Sequence, residues 1–374
     1  MKKILIAVNN PAFFLSHRLN IAQEAKAQGY HVIVSTMDGP AVQTIKDHGF
    51  EHVVFPMRRS GMNPLTELMT IFSLYKTFKQ LKPDLVHLVT IKPVLYGGIA
   101  ARLAKVPAVV YAISGMGFLF TKKRAKFDPV SLITRLLYRL ALAHPKGRVI
   151  VQNTTDKALL QEMSSLNDEQ LVLIRGSGAD LNRYCYVPEP IKPPLIVTMA
   201  ARLLKDKGVI EYVQAARIAA SQGRSDIVWQ LAGSPDPGNP ASITDKELSA
   251  CQTDIHYLGE VADIAKLYSE SHIIALPSYR EGLPKSLVEA AACGRAVVTT
   301  DAPGCRDAIE PGVTGLLVDV CSAKSLYEAI IELSDDDELR QSMGRAGHQL
   351  ALEEFDENVI AKKQVAIYKE LLKS

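Results

Sequence analysis

Along the chain, short runs of β-branched and other apolar residues alternate with longer stretches in which apolar positions recur every three to four residues. The short runs stand at Ile4 to Val8, His31 to Ser35, His52 to Phe55, Leu85 to Val89, Ala108 to Ile113 and Arg148 to Gln152. Such runs mark strands buried on both faces, and helix-length connections between them make βαβ units, so the pattern predicts a parallel sheet covered by helices. At Tyr186-Val-Pro-Glu-Pro-Ile-Lys-Pro-Pro194 four prolines in nine residues interrupt it, a density incompatible with helix interior or central strand. The alternation then restarts with Leu195 to Ala200, Ile227 to Ala232, Ile255 to Leu258, Ile273 to Pro277, Ala296 to Thr300 and Gly315 to Val318. The fold class is therefore α/β, with two Rossmann-like parallel-sheet domains at 1–187 and 188–374 that would face a central cleft. A final helical pattern, Glu357 to Leu372, carries an apolar stripe that needs a surface to cover, and the first domain is one candidate.

Composition agrees with two globular cores: of 374 residues, 47% are hydrophobic and 22% charged. Five widely spaced cysteines with no C-x-x-C pair read as reduced thiols of a cytoplasmic protein. Asn9, Asn10 and Pro11 end the first apolar run too early for a secretory signal, and no segment approaches the ~20 apolar residues that span a bilayer. Any membrane contact is expected to be peripheral.

The net charge of +3 conceals a polarity. Residues 1–187 hold 24 Lys and Arg against 12 Asp and Glu, a balance of +12, whereas residues 188–374 hold 19 against 28, a balance of −9. A basic half predicts an anionic partner such as a lipid surface or a phosphorylated acceptor; a solvated surface is the plainer reading. Met116-Gly-Phe-Leu-Phe-Thr-Lys-Lys-Arg-Ala-Lys-Phe127 adds an apolar tip followed by Lys122, Lys123, Arg124 and Lys126, and Val130 to Ala143 follows with Arg135 and Arg139. Apolar wedge plus cations is the composition of an interfacial membrane contact, and equally of an ordinary loop before a packed helix.

Two segments could carry chemistry. Ala201-Arg202-Leu-Leu-Lys-Asp-Lys207-Gly208 follows a strand, and at the C-terminal edge of a parallel sheet a planar Arg fork beside a mobile Lys charge suits a diphosphate. In Arg280-Glu281-Gly282-Leu283-Pro284-Lys285-Ser286, a strand passes through a Gly/Pro turn into an apolar helix whose N-terminal amides could receive a phosphate. Glu281 precedes that helix and Glu289 lies on its second turn, placed to accept paired hydrogen bonds from sugar hydroxyls. Glu289 stands among Leu287, Val288, Ala290, Ala291 and Ala292, and a carboxylate in a buried helix needs a partner.

Arg202 to Gly208, Glu281-Gly-Leu-Pro through Glu289, Gly294 and the strand Ala296 to Thr300 together resemble the E-x7-E signature of family 4 retaining glycosyltransferases of the GT-B fold. The likeness runs nearly the whole chain and is nearest to bacterial enzymes that extend undecaprenyl-diphosphate-linked sugars, such as N-acetylgalactosaminyltransferases. It implies a retaining hexosyltransferase that moves GalNAc or GlcNAc from a UDP-sugar to a polyprenyl-diphosphate-linked saccharide, without a metal or other cofactor, at the inner face of the cytoplasmic membrane. Under this likeness Arg202 and Lys207 neutralise the leaving diphosphate, Glu281 touches the donor sugar, Glu289 binds the ribose, Gly282 to Ser286 line sugar and phosphates, and the base stacks near Tyr257 and Leu258. Preorganised cations aimed at a developing diphosphate charge lower such barriers by several kcal/mol.

The chain departs from the pattern in two places. Where many relatives have paired glycines after the first strand, it reads Asn9-Asn-Pro-Ala-Phe-Phe-Leu-Ser-His17-Arg18, and where many have a histidine after the fifth strand, it has Ser114-Gly115-Met116. His17, Arg18, Lys92 and Ser114 are thus the candidates on the acceptor side, with capping or packing the other reading of His17. The one D-x-D spelling, Asp335-Asp336-Asp337, sits in an acidic turn and is not expected to bind metal.

Three other readings fit the chain less well. A GT-B nucleotide-sugar epimerase would act on a soluble substrate and have no use for a basic domain. A dinucleotide-dependent oxidoreductase requires G-x-G-x-x-G after the first strand, and Asn9 to Leu19 contains no glycine. A nucleic-acid partner is not expected, for no recognition motif with interleaved aromatics is present.

Overall fold

The computed structural model describes residues 1–55, 64–116, 129–164, 166–191 and 194–373. The chain divides into two compact units, 1–177 with 358–374, and 178–357. The first runs β1 (Lys3–Val8), α1 (Pro11–His17), α2 (Leu19–Ala27), β2 (His31–Thr36), α3 (Val42–Asp47), β3 (Glu51–Val54), α4 (Pro64–Leu81), β4 (Leu85–Val89), a π turn (Pro93–Gly97), α5 (Gly98–Ala104), β5 (Ala108–Ile113), α6 (Pro129–Leu142), β6 (Gly147–Val151), α7 (Thr154–Met163) and β7 (Leu171–Leu173). The second runs β8 (Leu195–Ala200), α8 (Val209–Ser221), β9 (Ile227–Ala232), α9 (Asp245–Cys251), β10 (His256–Gly259), α10 (Ile264–Ser269), β11 (Ile273–Leu276), α11 (Lys285–Ala292), β12 (Ala296–Thr300), β13 (Gly315–Val318), α12 (Ala323–Asp335) and α13 (Asp337–Glu354). The chain then enters α14 (Glu357–Lys373).

Both sheets are parallel throughout, in the orders β3-β2-β1-β4-β5-β6-β7 and β10-β9-β8-β11-β12-β13. Order reverses between β1 and β4, and again between β8 and β11, and at such switch points the loops leaving the strands diverge to opposite faces and open a crevice. The central strands are apolar on both sides: every side chain of β4, β5, β11 and β12 is buried. β7, three residues long, is the strand that the apolar pattern did not reveal.

The chain divides at Ser177 and Gly178, ahead of the proline-rich stretch taken from the sequence as the boundary. The reason is packing: Ala179 and Tyr184 are buried in the second unit's core. The last helix lies in the first unit, where Ile360, Ala361, Val365, Ile367, Tyr368 and Leu371 join one of two apolar clusters. Moving it there sharpens the polarity of charge. The first unit holds 27 Lys and Arg against 12 Asp and Glu, or +15, and the second 16 against 28, or −12.

Among the described residues no helix is long and apolar enough to cross a membrane. The apolar tip and cations at Gly117 to Phe127, including Lys122, Lys123, Arg124 and Lys126, lie outside the described residues.

Candidate functional site

The second unit's switch point is assembled from the loops that leave β8, β9, β10 and β11. After β8, buried Leu203 and Leu204 pin the loop, and Lys205–Lys207 form one 3-10 turn. Gly208 then turns into α8 with φ of 78°, where a Cβ would stand 2.1 Å from the Pro277 carbonyl oxygen, so only glycine lets this loop lie against the end of β11. The contact is fixed by hydrogen bonds to the Asp206 carbonyl from the Tyr279 amide at 2.9 Å and the Ser278 hydroxyl at 3.0 Å.

This approach brings Lys207 to Glu281. Their side chains form an ion pair, both largely shielded from water. The Ser278 hydroxyl also stands 2.8 Å from Glu281 Oε1, so its one proton is shared between that carboxylate and the Asp206 carbonyl. A hydrogen bond from the Glu281 amide to the Pro303 carbonyl, 2.9 Å, holds the turn itself.

Gly282 to Pro284 lead into α11, which has Pro284 at its N-cap and no side-chain cap, leaving the helix end able to address an anion. Glu289 is buried on this helix. Lys285, one turn earlier, stands 3.6 Å away, and Tyr184 supplies a hydrogen bond. Burial raises the Glu289 carboxyl above its ordinary range, against the opposing pull of Lys285 and Tyr184. The Tyr184 phenol is itself pushed up by burial and by Glu289, so it remains a donor.

Arg202 pairs with Asp236 at 2.7 Å, Asp236 buried and Arg202 half in solvent. Between them and Glu289 opens a pocket of about 350 Å³, lined also by Glu260, Val261, Tyr268 and Ser286. Its floor is Gly233, φ 132°, where a Cβ would fall 1.9 Å from the Ala201 carbonyl oxygen. Of the residues singled out in the sequence, Arg202, Ser286 and Glu289 thus share one pocket, and Lys207, Glu281 and Lys285 are tied in ion pairs beside it. Tyr257 and Leu258 stand apart. The Tyr257 hydroxyl donates to the Gly233 carbonyl at 3.0 Å and its ring lines another hollow with Trp229 and Asp254, while Leu258 is exposed; from this turn, Glu260 and Val261 line the pocket.

Asp236 and Tyr184 were not found from the sequence. Asp236 lies in Gly233-Ser-Pro-Asp-Pro-Gly238, whose turn residues after a strand were the available signal. Tyr184 had none, because its role depends on the chain doubling back under α11.

In the first unit, Arg18 is buried at the junction of α1 and α2, donating to the His17 carbonyl at 2.8 Å and the Ser114 hydroxyl at 3.2 Å. No carboxylate among the described residues is within ion-pair distance of it, and burial lowers its pKa to about 10. Thr90, just past β4, has φ of 70° and a buried hydroxyl with no partner among the described residues, so this switch point holds a strained backbone position. His17 stacks on Phe13 at 4.1 Å and its Nδ1 meets the Ser16 hydroxyl at 2.7 Å, the packing role read as its alternative. Lys92 is paired with Glu67 at 2.9 Å. Arg18 and Ser114 are therefore brought together.

Among the described residues no cluster of three or more His, Cys, Asp or Glu could hold a metal ion. Asp335 pairs with Arg224, Asp336 caps α13 and Asp337 pairs with Arg340.

Comparison with known proteins agrees with this fold. Residues 188–350 match the family model of glycosyl transferases group 1, and residues 3–153 that of glycosyl transferase 4-like domains, which between them take in most of the chain. A Campylobacter jejuni N,N'-diacetylbacillosaminyl-diphospho-undecaprenol alpha-1,3-N-acetylgalactosaminyltransferase is 29% identical over 96% of this chain and 99% of its own. An Escherichia coli UDP-Gal:alpha-D-GlcNAc-diphosphoundecaprenol alpha-1,3-galactosyltransferase is 25% identical over 73% of this chain and 72% of its own. Anabaena HepE, solved in complex with UDP, superposes with a TM-score of 0.76 at 19% identity, covering 99% of this chain and 100% of its own. With two parallel-sheet units, a charged pocket at the second switch point and both family models matched in order, the chain belongs to the glycosyltransferases of the GT-B fold, a glycosyl transferase 4-like domain followed by a group 1 domain.

Proposed function

We propose that this glycosyltransferase moves an N-acetylhexosamine from a UDP-sugar to an undecaprenyl-diphosphate-linked saccharide, with retention of configuration, during assembly of a bacterial surface glycan at the inner face of the cytoplasmic membrane. The observation that carries the reading is the juxtaposition of buried Glu289, in a pocket of about 350 Å³, with Arg202 in the same pocket and the Lys207–Glu281 pair beside it. The pocket suits a nucleoside, with Glu289 accepting the ribose hydroxyls. The two relatives named above both act on diphospho-undecaprenol-linked sugars, and one uses UDP-galactose.

In the proposed reaction the bond from the sugar C1 to the diphosphate oxygen breaks and its electron pair stays on the phosphate. The acceptor hydroxyl oxygen bonds to C1 from the face that the diphosphate leaves, and its proton passes to the departing diphosphate oxygen. Arg202 and Lys207 meet the charge growing on the diphosphate, which makes a metal unnecessary. As the diphosphate draws Lys207 away, Glu281 loses its counter-charge and becomes an acceptor for the donor sugar's hydroxyls. The amides from Gly282 to Ser286 lie along sugar and phosphate, and Arg18 with Ser114 faces the acceptor's charge.

The test is a panel of UDP-, GDP- and ADP-sugars offered to purified protein in EDTA, with and without an undecaprenyl-diphosphate-linked saccharide. Acceptor-dependent release of UDP from a UDP-N-acetylhexosamine, with the product's anomeric configuration retained, is the expected result. Release without acceptor, and with the free sugar epimerised, would replace this reading by a soluble epimerase.

A further inference from the structure

All five thiols are free, and two of them, Cys185 and Cys293, line one hollow of about 620 Å³ in the second unit. Arg183, Cys185 and Val187 border it from the chain that leads into the proline-rich stretch, Lys266 and Ser269 from α10, and Cys293 from the end of α11. The same two helices border the charged pocket, through Ile264 and Tyr268 of α10 and Ser286 and Glu289 of α11. A shift of either helix is therefore felt in both places.

Cys185 and Cys293 are brought together by register. Tyr184 is hydrogen-bonded to Glu289. Tyr186 lies on Gly294, where a Cβ would fall 2.4 Å from its ring, and the Val187 carbonyl accepts from Arg295 at 2.7 Å. The neighbours of Cys185 on both sides thus touch the residues that flank Cys293 on both sides, and the two thiols are the matched pair between them. Alternate residues 183, 185 and 187 face the hollow, while Tyr184 turns to Glu289. The thiols differ in access. Cys185 is exposed, whereas Cys293 is buried, and burial, with Cys185 and Glu289 nearby and Arg295 opposing, pushes its thiol up to about 12. Cys185 is accordingly the thiol that reacts first. Arg183 and Lys266 stand at the rim, both more than half exposed and each only loosely paired, at 3.9 Å, with Asp263 and Glu270. Their charges favour an approaching molecule that carries carboxylates.

We propose that Cys185 and Cys293 close into a disulfide by exchange with an anionic low-molecular-weight disulfide, and that this clasp weakens nucleotide binding in the adjoining pocket. In the first step Cys185 Sγ bonds to one sulfur of the small disulfide, whose other sulfur leaves as a thiol with the Cys185 proton. In the second, Cys293 Sγ bonds to Cys185 Sγ and the remaining small thiol departs with the Cys293 proton. Two protein thiols are oxidised and one small disulfide is reduced to two thiols. Closing the bond draws the chain at Cys185 toward the end of α11 and moves the adjacent Tyr184 off Glu289. The effect on nucleotide rests on the reading of the Glu289 pocket as the donor site and adds a regulation to it; the bond itself does not depend on that reading.

The experiment equilibrates the full chain in mixtures of reduced glutathione and glutathione disulfide, blocks the remaining thiols by alkylation and maps the peptides by mass spectrometry, with UDP affinity measured on the same samples by isothermal titration. A linked Cys185–Cys293 peptide should accumulate as the disulfide form increases and vanish with dithiothreitol. UDP affinity should fall by about tenfold in step with it, and the Cys185→Ser and Cys293→Ala variants should hold the reduced affinity throughout. Cys185 is exposed, so its serine variant is expected to keep the unfolding midpoint of the wild type. Cys185 found only as a glutathione adduct, or linked to Cys321, would overturn the proposal, as would a Cys185–Cys293 link that leaves UDP affinity unchanged. Reduced protein that forms the link on oxidation but never binds UDP would overturn the donor-site reading and leave the thiol pair standing.

Discussion

The two switch points share a backbone plan and carry opposite electrostatics. In the second unit every cation of the site stands beside a carboxylate: Arg202 with Asp236, Lys207 with Glu281, Lys285 with Glu289. In the first, buried Arg18 donates to a hydroxyl and a carbonyl, and no carboxylate among the described residues is within ion-pair distance of it. Paired cations stay in place at low cost and, when an anionic ligand takes them, release carboxylates that accept sugar hydroxyls. Under the proposed function, one arrangement thus recognises phosphate and polyol together. A buried guanidinium without a counter-charge opposes folding until an anion reaches it, a stored demand of one sign. The topology supplies two crevices and the side chains decide what each can bind.

The largest effect should come from breaking the paired side. Lys207→Ala is expected to lower kcat/KM by about 10²- to 10³-fold, roughly 3 to 4 kcal/mol of transition-state stabilisation, read by nucleotide release. It also takes the Lys207 charge away from a shielded Glu281, so the unfolding midpoint should drop; adding Glu281→Gln should restore the midpoint without restoring the rate. Rate and midpoint recovering together would make the pair structural.

Glu289→Gln separates function from stability. Burial raises its carboxyl pKa above the unfolded value, so its stabilising contribution is complete below the ordinary carboxylate range and is lost as pH rises through the folded pKa. Above its folded pKa the group therefore opposes folding. The glutamine variant should melt about 2 to 4 °C higher at pH 7, with the gain vanishing on acidification, yet bind donor about tenfold more weakly. Unchanged donor affinity would remove the ribose role.

Arg18→Met is the milder counterpart. The folded pKa is depressed to about 10, so any stabilisation is present only above the unfolded value and is lost as pH falls through the folded one. At neutral pH the charged group again opposes folding, and methionine should leave the midpoint equal or higher. Acceptor KM should rise by about tenfold or less, with donor affinity unaltered. A change in donor affinity instead would assign Arg18 to the other substrate.

Much of this was legible along the chain because it is local. Buried parallel strands announce themselves as unbroken apolar runs, and β7 escaped because three residues carry no period. Glu289 stood out as a charge among alanines and leucine, and α11 buries it as that pattern requires. The proline-rich stretch was legible as a break, but the units part earlier, where Ala179 and Tyr184 turn to the second core.

The sequence by itself determined the periodicity of the elements, the class of fold, the polarity of charge and the residue types available for a diphosphate, since each depends on neighbours within a few positions. Only the tertiary structure decided who meets whom. Lys207 reaches Glu281 and Arg202 reaches Asp236 because β8 lies between β9 and β11, and Arg18 meets Ser114 because β1 and β5 flank β4. Strand order is set by the packing of helices on whole sheets, and no local pattern encodes it.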